Sequence, residues 1–416
     1  MSKTHAAPAA LDGVRVLDAS GLAGQYCGKL LAQLGADVVL VEPPGGSPVR
    51  REGPYLKQQP HIEHSLPFAY FNEGKRGICL DLDHADGQAL MRQLAARADI
   101  VIESAGAGVM EKRGLGYSAL AGGHAGLVVT SISPFGQTGP YAQYKADELV
   151  AMALGGLLYL GGYPDSEPVM AYGNQAYLAA AQFAAVGTLI ALWEAERADG
   201  GQGQHVDVSI QECVTMALEN AAQFVDLEGV VRKRTAGQQR QAGTGVFPCK
   251  DGMVYLMAGG IAANRFWAAT AQWLIDVEAP QAHELLEPRW NDTAYLASDE
   301  AKARFERVFL PYAMQHTKAD LYQDGQRRRI PICPVSTCAD LLENRQLAYR
   351  QFFGTMQHPY SGLELIRPGA PFRLSATPWR AGRPAPRLGE HTAQVLGELG
   401  LDGQTQQVLL RAGVTG

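Results

Sequence analysis

The chain has 416 residues, of which 46% are hydrophobic and 19% charged, and a net charge of −6. It exceeds the roughly 250–300 residues at which one core stops growing, so two folded domains are expected, with disorder expected only at the ends. The acidic balance argues against nucleic acid or an anionic membrane surface as a partner, because both require a basic face. In chain order, residues 14–18 form a short apolar strand, 25–34 a helix, and 36–41 a second buried strand that runs into Glu42-Pro43-Pro44-Gly45-Gly46. The alternation continues with a strand over 77–81, a helix over 84–97, and strands over 99–103 and 126–133. Strands alternating with helices imply a mostly parallel sheet covered on both faces.

Residues 147–196 change texture to Ala-rich helical stretches, broken at Gly155-Gly156 and by a turn-rich segment over 161–168. A Gly-rich loop over 199–204, a strand over 205–209 and a helix over 212–224 follow. The basic stretch 231–240 marks a domain boundary, with a second domain starting near Thr244, and the Pro- and Arg-rich tail beyond Arg367 reads as an extended, packed strap. No apolar run approaches the ~18–20 residues that cross a bilayer, and the opening residues lack the order of a secretory signal. A cytoplasmic location is therefore expected. The six cysteines have no paired spacing, so they should be thiols; Cys333 and Cys338 lie close together without a histidine pair, and no metal site is expected.

Two features carry candidate chemistry. Gly21, Gly24 and Gly28 follow the first strand, with Glu42 placed as a ribose-binding acid would be, but a pyrophosphate turn needs G-x-G-x-x-G and the spacing differs. A strand-to-helix turn in an α/β domain is therefore the preferred reading of these glycines over nicotinamide binding. Arg50, Arg51, Lys75 and Arg76 form two basic pairs that suit either phosphates or ordinary surface charge.

The stretches LDGVRVLDASGLAG, LLAQLGADVVLVEPPGGSPVR, NEGKRGICLDL, ADIVIES, KRGLGYSAL, SISPFGQTGPYA, GGQGQHVDVSIQE, VFPCKDGMVYL and PAPRLGEHTAQVL run in order from about Leu11 to Leu396. In them the chain resembles the CoA-transferase family that includes formyl-CoA transferase, carnitine CoA-transferase and the α-methylacyl-CoA racemases. The resemblance implies an α/β fold with a large Rossmann-like domain built from both chain ends, residues 1–230 completed by a return segment over 326–416. A smaller α+β domain spans 231–325, and two such chains form an interlocked ring dimer. Coenzyme A or an acyl-CoA would lie across the carboxyl ends of the strands. The family's contacts to it fall on Leu22 and Ala23, on Leu80, Asp81, Leu82 and Asp83, on Ser104, Ala105 and Gly106, on Lys112, and on Lys145, Ala146, Asp147 and Glu148. Lys112 and Lys145 would meet its phosphates as flexible point charges.

The resemblance also exposes departures. Family members attack the thioester with an aspartate that opens an Ala-rich helix, and counting back from Gly187-Thr188-Leu189-Ile190-Ala191-Leu192 lands on Tyr177, or on Ala176 after a one-residue slip. No Asp or Glu lies between Glu167 and Glu194, so no shift restores the acid. The amides Asn174 and Gln175 cannot form the mixed anhydride, and Tyr177 attacks only as a phenolate, scarce at neutral pH with a pKa of ~10. A strand-end arginine of some relatives is Pro43 here, and the racemase base histidine is Ala146. A glycine loop that some relatives fold over the reacting centre corresponds to residues 258–260.

One precedent in the family fits these losses: the succinyl-CoA:benzylsuccinate CoA-transferases combine two homologous, unlike subunits, of which one carries the aspartate. The expectation is thus a non-catalytic subunit of such an assembly, partnered by a homologous chain that supplies the acid. The rivals are an active homodimer that works without an aspartyl intermediate, a nicotinamide oxidoreductase, or a CoA-binding regulatory module.

Overall fold

The computed structural model describes residues 9–197, 201–218, 221–259 and 265–416. The opening segment, the start of the Gly-rich loop at 199–200 and the glycine at 260 lie outside them. Six strands form one parallel sheet: β1 (Arg15–Ala19), β2 (Asp37–Glu42), β3 (Arg76–Cys79), β4 (Ile100–Glu103), β5 (Val128–Ser133) and β6 (His205–Ser209). Their order is β3-β2-β1-β4-β5-β6. β2 is buried at every position after its first, and β4 and β5 are buried throughout, as expected where helices cover both faces. On one face, Val16, Cys27, Leu31, Ile100, Val128 and Ile132 join the alanines of the helix Gln25–Gln33's neighbour, the long helix Gln175–Arg197. On the other, Leu17, Val39, Val101 and Val129 meet Leu90, Met91 and Leu94 of the helix Ala85–Ala95 and Val395 of the helix Thr392–Glu398.

The chain divides into two compact units, Met1–Tyr159, Met170–Val231 and Tyr349–Gly416 in the first, Leu160–Val169 and Arg232–Ala348 in the second. The expected division needs two corrections. The turn-rich segment Leu160–Val169 belongs to the second unit, where the Arg234 side chain donates to the carbonyls of Tyr163 and Ser166. The return also comes at Tyr349 and not at residue 326, because β9 (Ile332–Pro334) completes an antiparallel sheet with β7 (Thr244–Cys249) and β8 (Gly252–Met257). That unit is α+β, its core built on Phe247, Trp267, Trp273, Trp290, Phe305 and Phe309. The helix expected over 212–224 is divided into Ile210–Met216 and Ala221–Glu228. Ala217 and Leu218 bond back only three residues, which tightens and ends the first piece.

The expectation that no apolar run approaches bilayer-spanning length is corrected as well. The helix Gln175–Arg197 has 23 residues and a window of mean hydropathy 1.6, long and apolar enough to span a bilayer by composition. One face of it is nevertheless built into the core through Ala176, Ala180, Ala184 and Leu192, and Thr188 Oγ1 lies 2.6 Å from Thr130 Oγ1 on β5. Its other face carries Phe183, Val186, Ile190 and Trp193, each 46–61% exposed, at the spacing of a single helical stripe.

A hairpin of β10 (Phe353–Gln357) and β11 (Glu364–Pro368) closes the first unit, and His358 is buried at its turn. Burial first, then the neighbouring His64, holds the His358 imidazole below its ordinary value, while Glu63 opposes them. A folded-state value below the unfolded one means that the unfolded chain takes up the proton first, so this contribution is intact above ~6.5 and is lost as pH falls. Melting temperatures should drop between about pH 7.5 and about pH 5.5, and His358→Gln should flatten that drop. An unchanged slope would show that His358 titrates equally in both states.

Candidate active site at the carboxyl edge of the sheet

The strand order reverses between β1 and β4, so the loops leaving these strands diverge and open a crevice at the carboxyl edge. The structure brings two expected groups together there: Gly21 N donates to Ser104 Oγ at 2.8 Å, joining the loop of Leu22 and Ala23 to that of Ser104, Ala105 and Gly106. Leu22 packs beside Leu40, Val49 and Phe68, and Ala23 against the sheet core. The β5 loop is tied in as well, since Gly108 N donates to Gln137 Oε1 (3.3 Å) and Gln143 Nε2 to the Ala107 carbonyl (3.3 Å).

Leu80, Asp81, Leu82 and Asp83 follow β3, on the far side of β2 from the crevice. The Leu80 side chain is core, and Asp83 pairs with Arg113 (2.8 Å), next to Lys112. Lys112 and Lys145 are exposed, and no ion-pair partner is found for either among the described residues. Ala146 is half-buried, and Asp147 caps the helix Glu148–Leu154 by accepting from Val150 N.

Beneath the loops lies a layer of buried charge. Lys75 Nζ donates to Asp18 Oδ2 (2.7 Å), the Gln25 carbonyl (2.7 Å) and Asn72 Oδ1 (2.8 Å), so all three of its protons are placed. Asp18 also accepts from the amide and hydroxyl of Ser20, which fixes the start of the first loop. The glycines now have a structural reason. A Cβ at Gly28 would stand 2.2 Å from Asp18 Oδ2, and one at Gly24 would stand 2.5 Å from Ser20 Cβ. Glu42, the candidate ribose acid, is consumed by Arg50 Nε and Nη2 (both 2.8 Å) and by Ser47 N (3.0 Å). Three of the four ambiguous cations are thereby structural: Arg50 also meets Glu63, Lys75 meets Asp18, and Arg76 meets Asp37 and Glu398. Arg51 is exposed and donates to the Gly45 carbonyl.

Glu103, at the end of β4, was not singled out by sequence. It is 3% exposed, accepts from Ala105 N (2.7 Å), and is held above the ordinary carboxylate range by burial, with Ser131 and Ala105 opposing. The recurrence of an acid at or beside the ends of β1, β2 and β4 (Asp18, Glu42, Glu103) was its signal.

The helix Gln175–Arg197 begins with Ala176 buried and Tyr177 half-buried. Burial, then Glu148 and Asp147, pushes the Tyr177 phenol above its usual value, which makes a phenolate still scarcer. A carboxylate does reach this point from another helix: Glu148 accepts from Ala176 N (2.6 Å) and Tyr177 N (3.1 Å). Burial raises Glu148, while the amides of residues 176, 177 and 175 pull it back. Both oxygens thus satisfy free amides of the helix start, a capping task that 28 residues of separation hid from sequence reading. Among the described residues no cluster of acidic, histidine and cysteine side chains is arranged to hold a metal.

Fold and site together define a Rossmann-type α/β protein with a crevice at the switch point of its sheet, where open α/β sheets bind ligands in general, and with Lys112 and Lys145 exposed in the segments that follow β4 and β5. Residues 11–392 match the model of CoA-transferase family III, and the chain belongs to that family. It is 43% identical over 401 residues to the succinyl-CoA:(R)-benzylsuccinate CoA-transferase subunit BbsE of Thauera aromatica, covering 96% of each chain. It is 32% identical over 402 residues to the succinyl-CoA–L-malate CoA-transferase alpha subunit of Chloroflexus aurantiacus, covering 94% of this chain and 88% of that one. Among solved structures, a CAIB/BAIF family protein from Brucella suis superposes with a TM-score of 0.80 at 28% identity, over 94% of this chain and 100% of the other.

Proposed function

We propose that this chain is the non-catalytic subunit of a heteromeric CoA-transferase, paired in an interlocked dimer with a homologous chain that carries the catalytic aspartate. The assembly moves CoA from an acyl-CoA donor such as succinyl-CoA to a carboxylic acid of the benzylsuccinate type. The observation that carries this reading is the helix start at Ala176 and Tyr177, which bears no acid, while Glu148, a carboxylate that reaches it from another helix, has both oxygens engaged by amides. The names of the two relatives described above, both given as subunits, support a heteromer. So does the apolar stripe of Phe183, Val186, Ile190 and Trp193, a face that suits coverage by another chain. In the proposed assembly the contacts at Leu22, Ala23, 80–83, 104–106, Lys112 and 145–148 hold coenzyme A or shape the partner's site, and the protein works in the cytoplasm.

Purified alone and given succinyl-CoA and benzylsuccinate, the chain should form no benzylsuccinyl-CoA. Co-expression with a homologue bearing the aspartate should give turnover in the ordinary enzyme range of ~1–1000 per second. Turnover by the chain alone at such rates would overturn the reading.

A second reading rests on Glu148, the carboxylate nearest the family position. In an active homodimer, Glu148→Gln would abolish transfer by the chain alone, and hydroxylamine added during turnover would leave a modified glutamate there if the intermediate is covalent.

A further inference from the structure

Away from the crevice, the hairpin of β10 and β11 and the strap that follows it border an open cavity of about 400 Å³. Its wall includes Arg350, Phe352, Arg367, Phe372, Arg373 and Trp379. The cavity flanks the far end of the helix Gln25–Gln33: Arg380 N donates to the Gln33 carbonyl, and Glu73, which contacts Arg367 (2.9 Å), accepts from Gln33 Nε2 (2.9 Å). That helix starts at the carboxyl edge of the sheet and runs antiparallel to the strands, so its far end lies toward their amino edge. The cavity is therefore separate from the candidate active site.

Three arginines line it in a protein whose net charge is −6. Buried Glu73 is shared between Arg367 and Lys29 (3.5 Å), so one carboxylate answers two cations. Arg350 and Arg373 have no carboxylate partner among the described residues, although the Arg373 side chain donates to the Arg350 carbonyl. The Trp379 ring lines the pocket, while its Nε1–H is buried away from the surface and has no acceptor among the described residues. Its ring stands edge-to-face with Phe372, with centroids 5.8 Å apart. Two guanidiniums without a carboxylate partner among the described residues call for a planar oxyanion, and the aromatic wall calls for a flat apolar body attached to it.

We propose that this cavity is a second, non-catalytic binding site for an aryl carboxylate, independent of coenzyme A. The carboxylate sits between Arg350 and Arg373, and the aryl group lies against Phe352 and Phe372.

The test is titration of the full-length protein with phenylsuccinate, followed by calorimetry and tryptophan fluorescence, with and without saturating CoA. Saturable binding that CoA does not alter is expected. Arg350→Ala/Arg373→Ala should weaken it by about tenfold or more, and Trp379→Phe should remove the fluorescence change while the far-UV circular dichroism stays native. Competition by CoA would place the ligand in the crevice and overturn the proposal. Equal affinity in the double-arginine variant, no saturation in the wild-type protein, or inorganic phosphate binding as tightly as phenylsuccinate would overturn it too. None of these outcomes depends on whether the chain is catalytic, so the proposed function stands or falls separately.

Discussion

Lys75→Met should destabilise the first unit by about 3–5 kcal/mol, the cost of leaving one member of a buried ion pair alone. Lys75 and Asp18 are both fully buried, and the ammonium places its three protons on Asp18, Gln25 and Asn72. Methionine fills much of the same volume but supplies no donor, so Asp18 must stay charged without a counter-ion or take up a proton. Either response costs a large share of a total stability of about 5–15 kcal/mol. In urea denaturation the midpoint should fall sharply with little change in slope, and Asp18→Asn/Lys75→Met should recover part of the loss. A single variant within about 1 kcal/mol of wild type would show that the pair carries little, as exposed pairs do. The effect extends beyond stability, because Asp18 also holds Ser20 at the start of the loop of Leu22 and Ala23.

The second large effect concerns assembly. Ile190→Asp/Trp193→Asp should abolish co-purification with the homologous subunit while leaving the fold of the chain intact. Both side chains are already exposed, at 61% and 58%, so the substitutions remove nothing from the core of this chain. In a complex that covers the stripe they would bury two carboxylates against an apolar surface, and a large aromatic is among the residues that dominate interface energy. A loss of at least ~100-fold in affinity is expected, about 3 kcal/mol. Size-exclusion chromatography of the co-expressed pair measures the first outcome, and circular dichroism of the single chain the second. A complex that survives the double substitution would place the partner elsewhere.

Much of the architecture was legible because a parallel sheet advertises itself. The runs at 38–41, 100–102 and 127–129 are continuously apolar, as strands buried on both faces tend to be, and the helices between them start and stop at ordinary polar and glycine signals. The domain division was less legible. Leu160–Val169 belongs to the second unit through hydrogen bonds to Arg234, some 70 residues away, and β9 extends that unit past residue 326 by pairing with β8. Nothing in local composition reports such pairings.

The sequence by itself determined the family, the sheet and one decisive absence: no carboxylate lies between Glu167 and Glu194, a fact of covalent chemistry that no folding alters. Only the tertiary structure decided what the remaining charges do. It spent Glu42, Arg50, Lys75 and Arg76 on ion pairs, left Lys112 and Lys145 exposed, and brought Glu148 onto the amides of the helix that lacks its acid. The reason is that a side chain's identity is local, whereas its burial and its partner depend on contacts between segments far apart in the chain.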